Sequence, residues 1–176
     1  MIEEAGLRPT EHGQVPETDG WFVVNARDVH WQDDGEMGVY TPFAGDVRFP
    51  SVGINLAVLQ PGQPNCMYHR EGEQEDFLVL RGECLLLVEG QERRLHAWDF
   101  VHCPPWTEHV LVGAGDGPCV VLMVGSRTPD SGVVYPRSEL ALRHGAGVET
   151  ETDTPAEAYR RFPESRPIAY REGWLD

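Results

Sequence analysis

Apolar residues along this chain fall in short bursts rather than in helical stripes. WFVVNA at 21–26 and VGINLAVL at 52–59 cluster β-branched and aromatic residues between turn formers such as Pro50 and Pro61-Gly62, and both predict strands. Five more short runs follow, at 77–80, 84–88, 100–103, 110–112 and 120–124. Their separators, Arg81-Gly82, Glu89-Gly90-Gln91, Pro104-Pro105 and the stretch 113–118, are all turn-competent. Strands at this spacing predict a small antiparallel sandwich or barrel.

Past Gly125 the pattern changes, with more charge and Pro and fewer apolar positions. One helix is signalled there: Thr154 can cap it, Pro155 suits its first position, Glu157 its first turn, and Pro163 stops it after 156–162. The tail carries Tyr170 and Trp174, which predicts docking on the barrel or on a second subunit. The first twenty residues mix Glu, Pro, Gly and Thr without periodicity and read as a mobile arm or an edge extension. The expected organisation is an arm over 1–20, a barrel over 21–126, and an extension over 127–176 with a short helix.

Charge narrows the partners. With 14 basic against 29 acidic side chains the 176-residue chain has a formal net charge of −15 and no Lys/Arg cluster, so it repels phosphate backbones and anionic headgroups. Neither nucleic acid nor a membrane is expected as a partner. No apolar run approaches the ~20 residues that span a bilayer, and the acidic start lacks an export pattern, which makes a cytoplasmic protein the expectation. Cys66, Cys84, Cys103 and Cys119 show no CxxC spacing and read as reduced thiols.

The chemistry concentrates in two segments, PGQPNCMYHREGEQEDFLVLRGE (61–83) and WDFVHCPPWTEH (98–109). Together they resemble the two motifs of the cupin superfamily, a likeness that covers 50–125. Gly62, Glu75 and Gly82 stand where the first motif wants them. Its two His positions hold Tyr68 and Arg70, with His69 between them. In the second motif Asp99, Pro104-Pro105 and His109 keep the spacing, with Trp106 in place of the usual Gly and Gly113 where Asn is common.

The resemblance implies an all-β fold, the cupin double-stranded β-helix or jelly-roll barrel, able to hold one divalent metal. His69, Glu75 and His109 would supply two imidazoles and a carboxylate, with Glu73 and Gln74 as alternates should the register follow His69. Tyr68 is assigned a supporting hydrogen bond. Such a set suits Fe, Mn, Ni or Zn and leaves coordination positions open. Strand alternation alone would turn His69 outward and Arg70 inward; a one-residue bulge near 65–67 reverses this, and His69 is expected to face the interior.

Three functions follow from this reading. The first is a mononuclear metal enzyme, an oxygenase or isomerase of a small metabolite. The others are a metal-free binder of a small ligand, and a dimerising scaffold whose pocket is filled by Trp98, Trp106 and Phe77. A homodimer is expected, with Trp21, Phe22, Trp31, Tyr170 and Trp174 buried at a sheet edge or outer face.

Overall fold

The computed structural model describes residues 1–129 and 131–176. In chain order its strands are Leu7–Thr10 (β1), Gly13–Pro16 (β2), Trp31–Asp33 (β3), Val39–Thr41 (β4), Val52–Leu59 (β5), Arg70–Glu71 (β6), Glu75–Arg81 (β7), Glu83–Val88 (β8), Gln91–His96 (β9), Phe100–Cys103 (β10), His109–Ala114 (β11), Cys119–Ser126 (β12), Val133–Val134 (β13) and Arg166–Ile168 (β14). Two short helices, Glu139–Arg143 (α1) and Pro155–Ala158 (α2), lie in the C-terminal part. The fold is all-β with few short helices, as expected.

Two sheets face one another. One runs β10-β7-β12-β5-β4-β3-β14, the other β11-β8-β9, and small β1-β2 and β13-β6 pairs sit beside them. The pairing within each sheet is antiparallel throughout. Between the sheets lies the main core, built from Leu59, Phe77, Val79, Cys84, Leu86, Leu111, Cys119 and Val121. Both outer faces are also covered, which explains why β11 is buried along its whole length. Leu111 points into the core, whereas Val110 and Val112 pack outward with Tyr68, Leu87 and Ala141 of α1.

The tail covers the seven-stranded sheet. Trp31, with no exposed surface, meets the rings of Trp174 and Tyr170 at 5.1 and 6.2 Å, and its indole donates to the Ala26 carbonyl at 2.9 Å. The aromatics of 170–174 thus fold back on their own chain, while Trp21 stays exposed.

Local differences from expectation have local causes. WFVVNA pairs only through a bridge from Trp21 to Glu4 and ends in a turn at Ala26, so it forms no strand. The N-terminal segment is a β1-β2 hairpin, tied by Arg8 to Asp46 at 2.7 Å. The helix after Thr154 stops at Ala158 and the Thr154 side chain does not cap it. A helix the pattern did not signal, α1, is capped by Ser138, whose hydroxyl accepts from the Ala141 amide.

Candidate metal and ligand site

One end of the sandwich opens into a cavity of about 500 Å³, lined among others by Asn55, His69, Glu75, Phe77, Gly125, Tyr135 and Tyr159. That volume suits a small metabolite.

Two of its lining residues, His69 and Glu75, cluster with the buried His109. Glu75 opens β7 between Cys103 of β10 and Gly125 of β12, and a Cβ on Gly125 would sit 3.7 Å from the Glu75 Cγ. His109 opens β11, and His69 bridges to it across the second sheet. One ligand atom of each, an imidazole nitrogen from each His and a Glu75 oxygen, lies within 4.8 Å of the other two. Glu75 Oε2 is 3.0 Å from His109 Nε2 and 3.4 Å from His69 Nε2.

His69 reaches this position through an irregular stretch. Pro64 pairs with Val112 and His69 with His109, so five residue steps oppose three on β11. Two extra residues are accommodated, rather than the single one expected. Asn65 makes the detour possible: its amide donates to the Leu111 carbonyl and its side-chain oxygen accepts from the Leu111 amide, both at 2.9 Å. Tyr68 N donates to Ala146 O, and Met67 N to the Tyr159 hydroxyl at 3.2 Å. The backbone donors freed by the bulge are thereby taken up by the C-terminal extension.

Both rings are held the same way. His69 Nδ1 lies 2.9 Å from the Met67 carbonyl, and His109 Nδ1 2.9 Å from that of Thr107. A carbonyl only accepts, so each Nδ1 carries a proton, and Nε2 is the nitrogen each ring turns toward Glu75. At the cluster, His109 Nε2 and Glu75 Oε2 are buried without a hydrogen bond despite their 3.0 Å separation. Burial opposes ionisation of Glu75, but the facing His109 and His69 outweigh it and hold the carboxyl down at about 2. Burial likewise disfavours a charged His69, yet Cys66 and Glu75 raise it well above the ordinary value. The cluster favours positive charge at its centre.

The residues named as alternates are engaged elsewhere. Glu73 accepts from the Ser126 hydroxyl and from the Thr128 amide and hydroxyl, which hold its carboxyl down at about 2. Gln74 is exposed and donates to Asp76. Tyr68 points to the opposite face of its sheet, where burial pushes its hydroxyl up to about 12 and it meets Glu108 at 3.3 Å. Arg70 also turns away, onto Glu108 at 2.7 Å. Trp98 and Trp106 are exposed and do not fill the cavity, while Phe77 forms part of its wall. His102 is exposed and bound to Asp76 at 2.6 Å.

Sequence reading did not single out Tyr135, Tyr159, Arg48 and Arg127 as lining the cavity. They lie outside the two motif segments, and only long-range pairing brings them in. Tyr135 and Tyr159 meet edge-on at 5.8 Å, and Tyr135 lies 6.1 Å from the His69 ring.

A family model described as the cupin domain matches residues 55–125. Among solved structures, KdgF from Halomonas sp. matches with a TM-score of 0.52 at 21% identity, over 64% of this chain and 98% of that one, and so shares the fold. A candidate sugar phosphate isomerase from Acidithiobacillus ferrooxidans ATCC 23270 is 31% identical over 49% of this chain, with a TM-score of 0.47, and the match spans 56% of that protein's length. A cupin-superfamily sugar phosphate isomerase from Silicibacter pomeroyi DSS-3 is 19% identical over 73% of this chain and 76% of that one, with a TM-score of 0.49. No curated protein matches the chain.

Proposed function

We propose that this chain, which belongs to the cupin superfamily, holds one divalent cation on His69, Glu75 and His109 and is a mononuclear metal enzyme, an isomerase or oxygenase of a small metabolite. One observation carries the reading. Two imidazole Nε2 atoms and an ionised carboxylate oxygen converge in a buried site where Glu75 and His109 lack hydrogen-bond alignment. Two ligands of one ion bound at about 2.1 Å stand about 3 to 3.4 Å apart, as Glu75 Oε2 does from each Nε2.

A metal there would supply Lewis acidity and open positions for an oxygen ligand. The chain's own residues do the rest. The Met67 and Thr107 carbonyls fix the tautomer and orientation of both imidazoles. Phe77, 5.3 Å from the His109 ring, and Tyr135 beside His69 wall the cluster from water. Tyr159 holds the Met67 amide, so it braces the loop that aims His69.

Elemental analysis of untagged protein tests the assignment. The expected result is close to one divalent ion per chain in the wild type and none in His109→Ala. A full complement of metal in His109→Ala, or none in the wild type, overturns it. Arg70 pointing into the barrel would have favoured a metal-free binder, but it faces Glu108.

For assembly, we propose a homodimer through β10. This strand ends the seven-stranded sheet and exposes Phe100, with Trp98 just before it, whereas β9, an edge of the second sheet, is polar. Light scattering at micromolar concentration should give the mass of two 19.7 kDa chains, and the mass of one would sink this proposal. No helix among the described residues is long and apolar enough to cross a membrane, and we propose a cytoplasmic location.

A further inference from the structure

The cavity holds two guanidiniums that the metal reading does not use. Arg48 lies between β4 and β5, Arg127 directly after β12, and both line the cavity. Arg127 is set in place by its neighbours. Its amide donates to the Ser51 carbonyl at 2.9 Å and its Nη1 to the Phe49 carbonyl at 2.6 Å. The guanidinium lies over Gly53, where a Cβ would come within 3.2 Å of Nη2 and 3.3 Å of Nε, a tight contact. Residues 48–53 and 126–127 are thus joined into one rim with Arg48 on it.

Two like charges share this rim. Burial and the neighbouring Arg48 both push Arg127 below its ordinary value, which places the two groups within electrostatic reach of each other. Neither forms an ion pair with a carboxylate among the described residues, in a chain with twice as many acidic as basic side chains. The carboxylates of the same wall are placed otherwise: Glu73 accepts from Ser126 and Thr128, Glu75 faces the imidazoles, and Asp34 and Glu71 pair with neither Arg. The Nε and Nη2 donors of Arg127 make no hydrogen bond among the described residues, so its fork is available for a bidentate acceptor.

We propose that Arg48 and Arg127 bind an oxyanion group, carboxylate or phosphate, of the small metabolite whose other end reaches the His69–Glu75–His109 cluster. This inference rests on the reading of the cavity as the ligand site and names the class of ligand it takes. Binding then weakens as ionic strength rises.

Calorimetric titration of the full chain, metal-loaded and chelator-stripped, tests it with malonate and with inorganic phosphate as probes. Saturable binding of one probe is expected, and which probe saturates separates a carboxylate ligand from a phosphate one. Arg48→Gln and Arg127→Gln should each weaken it about tenfold or more, with Arg127→Lys less affected. Arg93→Gln, on exposed β9, makes the same change of charge and should leave binding unaltered. Arg48 is exposed, so its variant is expected to fold, with circular dichroism as the check. Binding of neither probe, or wild-type binding by Arg48→Gln, overturns the inference. Arg-dependent binding by a protein that takes up no metal would sink the metal reading and leave the anion site standing. Metal uptake without Arg-dependent binding would do the reverse.

Discussion

The two ends of the sandwich are built from the same strands and differ in almost every inward position. On β5 the inward series runs Leu59, Ala57, Asn55, Gly53; on β12 it runs Cys119, Val121, Met123, Gly125; on β7 it runs Val79, Phe77, Glu75. At one end the side chains interlock and exclude water. At the other they shrink or turn polar, and a cavity takes their place. The β5-β12-β7 ladder continues through both halves, so the backbone pairing that the packed end stabilises is also what holds the open end in register. One set of strands can therefore divide its work, with adhesion at one end and recognition at the other.

Neighbours on β11 give the sharpest way to break this comparison. Leu111→Ala should lower stability by about 3 kcal/mol in denaturant unfolding and leave metal content intact. His109→Ala should remove the metal and cost the stripped protein less than that. Equal loss of metal from both variants would show that the ends are not separable.

The turns of the two ends offer a smaller contrast. Gly82 joins β7 to β8 at the packed end with φ +73°, and a Cβ there would stand 2.4 Å from the Pro118 carbonyl. Gly82→Ala should cost about 2 kcal/mol or more through backbone conformation and contact together. Trp106 takes φ +69° beside the open end, where its amide donates to Glu71, and its ring is half exposed. Trp106→Gly should relieve about 1 kcal/mol of strain and raise the unfolding midpoint slightly. A large loss in that variant would mean that the ring makes contacts the strain supports.

This contrast also explains what could be read from the sequence. Strands with an apolar inward series announced themselves: β5 and β10 match their predicted ranges residue for residue, and β7, β8, β11 and β12 contain theirs. β9, with the sequence QERRLH, did not, because five of its six residues are exposed and its place comes from the hairpin with β8. β3 and β4 have three residues each and depend on neighbours distant in sequence. The His69, Glu75 and His109 cluster was legible because motif spacing survives in local sequence. Which way His69 faces depended on two accommodated residues that pairing alone reveals. The rim arginines left no signal, since a guanidinium in a loop reads as ordinary surface until β5 and β12 meet.

The detour before His69 has a consequence for protein synthesis. Its freed amides are taken by Ala146 and by the Tyr159 hydroxyl, both C-terminal to every strand of the two sheets except β14. A nascent chain that has emerged as far as β12 can begin pairing its sheets, but the Met67 amide in the loop aiming His69 finds its acceptor only when residue 159 clears the ribosome. Assembly of the sandwich can therefore start during translation, while completion of its histidine cluster waits for the last part of the chain.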